Sequence, residues 1–173
     1  CPVEELGYVD AVRAALEEDG FDVDCCKITD IPRSSQDIIS LLDLEKPFLD
    51  GISENTFEAF KTFIKNVGTA GILWVTKEMQ MNCEDPQYSQ FLGLSRTIRS
   101  ELSIPLATLE VDTFDSAAFT AITRVFNKFQ ARDIAAEIDP DWEFSLLNGD
   151  IYIGRYHWIA VNDEIASVRG AGD

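Results

Sequence analysis

Histidine is almost missing from this 173-residue chain: His157 is the only one. Cys1, Cys25, Cys26 and Cys83 form no C-x-x-C pair, and Cys25 and Cys26 are adjacent. A structural zinc site needs about four ligands at local spacings, so this set argues against a metal centre. Reduced, mostly buried thiols are expected instead. Positive charge is also scarce, with 14 Lys and Arg against 31 Asp and Glu, a net −17. That balance repels nucleic acid phosphates and anionic membrane surfaces, which excludes both as expected partners. No apolar run approaches the roughly 20 residues that cross a bilayer, and no secretory leader opens the sequence. The two ends, Cys1-Pro2 and the stretch Ser167 to Asp173, read as breaks within a longer polypeptide, and the expected location is cytoplasmic.

What the chain does have is a core. Hydrophobic residues make up 46% and aromatics 10%, enough to order one domain despite its charge. Val9, Val12 and Leu16 repeat at helical spacing up to Asp19-Gly20, a helix end. Phe21 to Ile28 alternates like a strand. Asp37 to Leu44 is nearly continuous in apolar residues, as a strand buried on both faces requires. Ser53 stands before a second helix with Phe57, Phe60, Ile64 and Val67 as its core face. Gly71 to Thr76 is another buried strand. After Pro86 a helix carries the stripe Phe91, Leu94, Ile98 and Leu102, and Pro105 stops it. Leu106 to Val111 is a strand. Asp112 or Asp115 caps a helix that buries Ala118, Ile122, Val125 and Phe129. Trp142 to Leu147 and Ile151 to Ile159 flank Asn148-Gly149, a strong hairpin signal. The expected fold class is α/β: a truncated Rossmann-like parallel sheet flanked by helices, with a C-terminal β-hairpin. Residues 1–140 form the Rossmann-like unit in this reading, and 141–173 the hairpin and a connector.

A fold of this order raises the question of a nicotinamide cofactor, and the sequence lacks the parts. The fingerprint G-x-G-x-x-G lies between a first strand and a first helix, so that backbone N–H groups reach the pyrophosphate. Here the first helix follows Cys1 to Gly7, with one glycine and the carboxylates of Glu4 and Glu5. Reductases of the short-chain type also use Tyr-x-x-x-Lys, the lysine easing proton donation by the tyrosine. The residues four after Tyr8, Tyr88, Tyr152 and Tyr156 are Val12, Leu92, Tyr156 and Ala160. Gly93 to Thr97 begins like a nucleophile elbow but lacks its second glycine, and Ser95 falls in a helical stripe. His157 reads as a structural histidine in an apolar strand. Asp43/Glu45 and Asp112/Asp115 follow strands, where α/β sites often form, but have no basic or metal-binding companion and read as loop and capping residues. No catalytic, cofactor-binding or metal-binding residue is assigned.

Three stretches are more specific than their periodicity: Ile39 to Leu49, Gly71 to Thr76, and Gly93 to Glu101 leading to Leu109-Glu110-Val111-Asp112. In this order and spacing they resemble the pseudo-ketoreductase, or structural ketoreductase, subdomain of fungal highly reducing polyketide synthases. Trp142 to Arg155 looks like the end of that subdomain. The resemblance implies a non-catalytic scaffolding subdomain of a multidomain iterative synthase. It would bind no cofactor itself, although NADPH serves the reductase domains of such synthases. Its implied partners are the catalytic ketoreductase and the neighbouring enoyl reductase and methyltransferase domains of the same polypeptide. It also implies a strand just before Cys1. The packing face would be the stripe Phe91, Leu94, Ile98 and Leu102, or the hairpin with Trp142 and Trp158. Arg96 and Arg99 are expected to pair with carboxylates of this domain or its partner. Two other readings stand beside it: an NADPH-dependent short-chain-type reductase with drifted motifs, and an independent α/β interaction module. A receiver-like module would place its chemistry at Asp43, Thr76 and Lys77.

Overall fold

The structure is a computed structural model that describes residues 3–33, 36–132 and 140–155. Its elements are α1 (Val3–Glu18), β1 (Ile38–Asp43), α2 (Glu54–Asn66), β2 (Ile72–Lys77), α3 (Ser89–Leu102), β3 (Leu106–Val111), α4 (Ser116–Gln130), β4 (Glu143–Leu147) and β5 (Asp150–Ile153). The five strands form one sheet in the order β1-β2-β3-β4-β5, parallel through β4 and antiparallel between β4 and β5. The α/β class, the parallel sheet and the closing hairpin are therefore as the sequence indicated. No described helix is long and apolar enough to cross a membrane.

Local chemistry sets the element ends. Ser53 Oγ accepts the Thr56 N–H at 3.1 Å to cap α2, and Asp115 Oδ1 accepts the N–H groups of Ala117 and Ala118 to cap α4. At the far end of α3, Ser103 takes a left-handed φ of +54° and hands the chain to Pro105. Asn148 and Gly149 both have positive φ, as the tight turn favoured between twisted strands requires.

Strand residues alternate between two cores. Leu73, Val75, Leu109, Val111, Phe144 and Leu146 pack with α1 and α4 on one face. Ile72, Trp74 and Leu106 pack with α2 and α3 on the other. Because both faces are covered, Ile72 to Val75 are all fully buried. The second core centres on Trp74, which stacks on Phe91 at 3.7 Å between centroids and meets Phe48 and Phe60 edge-on. The connections β1-β2, β2-β3 and β3-β4 all step the same way across the sheet, yet α4 lies opposite α2 and α3. The third crossover therefore has the opposite hand to the first two, an uncommon arrangement in a parallel sheet.

Three local expectations are corrected. Phe21 to Lys27 forms no regular element and pairs with no strand among the described residues, and Ile28 lies in a turn. Its alternation is nevertheless meaningful, since Phe21 and Val23 pack on the α1–α4 core and Ile28 on the other. Cys25 and Cys26, on that segment, and Cys83, in the loop after β2, are exposed rather than buried. Phe57, in the first turn of α2, and Leu102, the last residue of α3, are also exposed, at 40% and 53%. Phe63, which the helical stripe had passed over, is buried nearer the other end of α2. Strand β5 ends at Ile153, before the described Gly154 and Arg155, short of the expected Ile159; His157 and Trp158 lie outside the described residues.

Candidate functional site

In open α/β sheets, ligands bind in the crevice outside the carboxyl ends of the parallel strands, held by loop amides and helix N-termini. Here that crevice is built from the loops after Asp43, Lys77 and Val111. Each loop turns out to be tied down by a carboxylate of the domain itself.

Glu110 is the central case. It sits in β3, whose other residues are all uncharged, and is 1% exposed. Its Oε2 accepts the N–H groups of Met79 and Gln80 at 2.9 and 2.7 Å, and its Oε1 accepts that of Met81 at 3.0 Å. Three successive amides of the loop after β2 thus converge on one internal anion, as they would on a phosphate. Ser89 Oγ donates to Met79 O at 3.1 Å and fastens the same loop to the start of α3.

Asp43, at the end of β1, is equally enclosed. Its Oδ1 accepts the Phe48 N–H at 2.6 Å and its Oδ2 the indole N–H of Trp74 at 2.7 Å. Burial pushes its carboxyl above the ordinary range, while those two hydrogen bonds pull the other way. Asp112 accepts the N–H groups of Thr113 and Asn148, each at 2.7 Å, and so joins the hairpin turn to the end of β3. Further acids crowd this edge. The Glu78 carboxyl is raised by desolvation first and then by repulsion from Asp112, Glu84 and Glu110.

The residues considered as sites from sequence are therefore placed as follows. Asp43 and Asp112 are loop anchors and Asp115 is a helix cap, as expected of them. Ser95 is buried inside α3, and its hydroxyl donates to Leu92 O at 2.8 Å. Tyr88 is buried, with the Lys77 ammonium 5.9 Å from its ring centroid. Its hydroxyl is made less acidic by burial and then by Asp43 and Asp85, the opposite of what an acidified proton donor needs. Among the described residues no cluster of His, Cys, Asp or Glu could hold a metal ion.

Three further acids that sequence reasoning left unassigned organise the flanks. Glu143 forms a bidentate pair with Arg96 at 2.8 and 2.7 Å and a third bond with Arg99 at 3.0 Å, linking α3 to β4. The Arg96 hydrogen bonds, opposed by burial, hold its carboxyl below the usual range. Asp37 grips Arg132 through both oxygens at 2.7 and 2.8 Å and accepts the Gly71 N–H at 2.7 Å. Asp141 pairs with Lys128 and Arg155. The available signal was a charge inside an expected strand: it exists for Glu110, Asp37 and Glu143 and is absent for Asp141.

This architecture defines a Rossmann-like α/β domain whose usual ligand edge is occupied by its own carboxylates. The chain belongs to the HRPKS sdrA-like, NAD(P)-binding Rossmann-fold domain family, whose family model matches residues 15–157. It is 44% identical over 158 residues to a highly reducing polyketide synthase (gloL) of Glarea lozoyensis, covering 91% of this chain and 6% of that protein. It is 41% identical over 167 residues to another (sphB) of Aspergillus fumigatus, covering 94% and 7%. A squalestatin hexaketide synthase of a Phoma species is 33% identical over 165 residues, covering 88% and 6%. The chain thus spans only a small fraction of the length of these relatives. No solved structure matches it.

The family description implies NAD(P), and three consecutive amides of the described loop after β2 are not free for its phosphates. The amides of Met79 to Met81 already bind Glu110. A phosphate brought to that edge would also meet the charges of Glu78, Glu84 and Asp112.

Proposed function

We propose that this chain is a non-catalytic, pseudo-ketoreductase subdomain of a highly reducing polyketide synthase, a scaffold that packs against and supports the catalytic ketoreductase of the same polypeptide. The observation that carries the reading is Glu110. A buried carboxylate bound to three consecutive loop amides closes the loop after β2 on itself and leaves those N–H groups unavailable to an anionic ligand. Similarity to polyketide synthases supplies the context in which a reductase-like domain without its own chemistry has a use. NADPH then belongs to the neighbouring reductase domains, and the enoyl reductase and methyltransferase are further neighbours.

Of the two packing faces suggested by the sequence, the α3 stripe is largely consumed, since Phe91 and Ile98 lie in the domain's own core. The hairpin retains Tyr152 and Ile153 exposed at 44% and 36% on an edge strand, and it is the face assigned to the partner. Titration of the purified domain with NADPH, followed by calorimetry, tests the absence of cofactor binding. No saturable heat is expected up to millimolar NADPH; saturable binding in the micromolar range overturns the proposal in favour of a reductase with drifted motifs.

A further inference from the structure

Cys25 and Cys26 are adjacent in sequence and both exposed. They lie in the span between α1 and β1 that forms no regular element. That span is tied at its ends and loose between them. At one end the Phe21 N–H donates to Leu16 O at 3.0 Å, and the Phe21 ring meets Phe126 edge-on at 5.4 Å. At the other end the Lys27 N–H donates to Asp30 Oδ2 at 2.7 Å, and the Asp30 N–H donates back to Lys27 O at 2.9 Å. No described backbone hydrogen bond involves Cys25 or Cys26. The peptide between the two cysteines can therefore turn without breaking a ladder.

The two thiols are not equivalent. Arg13 of α1 donates from Nη2 to Cys25 Sγ at 3.1 Å. Negative charge developing on that sulfur as it attacks an electrophile is thus met by a guanidinium. Cys26 is held as the neutral thiol: burial first, then the charges of Asp30, Cys25 and Asp24, make it harder to deprotonate. An accessible thiol beside a cation, with a second thiol next to it, is the arrangement of cysteines that pass reversibly through sulfenic acid. Cys83, also exposed, has no adjacent cysteine.

Adjacency decides what kind of disulfide such a pair makes. Cα atoms joined by a trans peptide stand about 3.8 Å apart, whereas ordinary disulfides span roughly 4.4–6.8 Å. A bond between neighbours is strained and therefore easily reduced. Strained, exposed disulfides serve regulation rather than stability.

We propose that Cys25 and Cys26 form a reversible oxidation site, closed to a vicinal disulfide by hydrogen peroxide and reopened by a low-molecular-weight thiol. The Cys25 thiolate attacks one peroxide oxygen and the O–O bond breaks. Cys25 becomes a sulfenic acid, and the departing hydroxide takes up the proton that Cys25 released and leaves as water. Cys26 Sγ then attacks the Cys25 sulfur. The S–O bond breaks, and hydroxide leaves with the Cys26 proton as a second water. The two sulfurs together lose two electrons, which the two peroxide oxygens gain. In the return step two molecules of the small thiol become their disulfide and give back two electrons and two protons. Arg13 and both cysteines line the groove of about 1090 Å³ beside β1, so closing the ring reshapes the wall of that groove. The inference concerns these thiols alone and does not depend on the proposed absence of catalysis.

Peptide mapping by mass spectrometry tests it on the folded chain. A glutamate-specific protease releases both cysteines on Asp19–Glu45 and Cys83 on Met79–Glu84. After graded exposure to hydrogen peroxide and capping of free thiols, Asp19–Glu45 should escape capping and lose two hydrogens. It should do so about 10-fold faster than Cys83 is oxidised, and dithiothreitol should restore both capping sites. Cys26→Ser should leave a Cys25 sulfenic acid that dimedone traps. Arg13→Met should slow closure about 5-fold or more at an unchanged melting temperature, and Arg13→Lys should restore most of the rate. Both thiols remaining open to capping while Cys83 reacts overturns the proposal. So does a disulfide from Cys25 or Cys26 to a second chain, or an Asp19–Glu45 peptide that gains oxygen without losing two hydrogens. Closure at an unchanged rate in Arg13→Met overturns the assignment of Cys25 as the attacking thiol.

Discussion

Replacing Glu110 isolates the feature on which the functional reading rests. Glu110→Ala removes a 1% exposed carboxylate and leaves the N–H groups of Met79, Gln80 and Met81 without their acceptor. Hydrogen bonds to a charged group contribute about 1.5–3 kcal/mol each, but the three share one anion and the freed loop can rehydrate, so the sum overstates the loss. A net destabilisation of about 3 kcal/mol is expected, a large part of the 5–15 kcal/mol typical of a domain. Since about 1 kcal/mol moves the midpoint by 2–4 °C at this size, Tm should fall by roughly 6–12 °C. Glu110→Gln keeps the shape and one acceptor oxygen but turns an NH2 group toward a backbone N–H, so it should lose about half as much. Urea denaturation followed by circular dichroism measures both, with an unchanged m-value showing that the same fold is being compared. A Glu110→Ala protein within 1 kcal/mol of the parent refutes the reasoning, because the loop would then be held by something other than this carboxylate.

The remaining predictions concern packing, polarity and pH. Gly71→Ala should cost about 1–3 kcal/mol by overpacking, since a Cβ there lies 2.7 Å from Phe129 Cε1 and 2.9 Å from an Arg132 nitrogen; a thermal melt checks it. Thr108→Val should stabilise by about 1 kcal/mol, because the hydroxyl of this fully buried residue has no hydrogen-bond partner among the described residues; chemical denaturation of the pair decides. Trp74→Phe keeps most of the aromatic stack but removes the donor to buried Asp43, with an expected loss of about 1–3 kcal/mol. Two carboxyls respond to acid in opposite senses. Glu143 is lowered in the folded state, so its stabilising share is present above the unfolded-state carboxyl pKa near 4.5 and is lost as pH falls through its folded value. Asp43 is raised, so its share is fullest below an unfolded-state pKa near 3.8 and is lost as pH rises through the folded value. Stability against pH should therefore fall less steeply in acid for Glu143→Gln and more steeply for Asp43→Asn, each relative to the parent.

The alternation of apolar residues, the capping serine and aspartate, and the Asn148-Gly149 turn are local signals, and each settled its element from a few neighbouring residues. They yielded the α/β order, the buried parallel strands and the hairpin. The missing glycine fingerprint and missing Tyr-x-x-x-Lys pair were equally plain, because such motifs are contiguous. Phe21–Ile28 was read as a strand because its side chains do alternate; whether it pairs depends on a neighbour that no local pattern encodes. Phe57 and Leu102 sit at helical core spacing, but at the ends of their helices, and how far a core extends along a helix is set by what packs there rather than by the spacing. Glu110 went unremarked within its strand, because its role needed the loop after β2, some 30 residues away in sequence, to be brought over it. Composition and periodicity thus determined that this chain builds a Rossmann-like α/β sheet with a closing hairpin. Only the tertiary structure decided that the scaffold's ligand edge is taken by its own carboxylates, because a buried anion must find its donors across strands rather than along them.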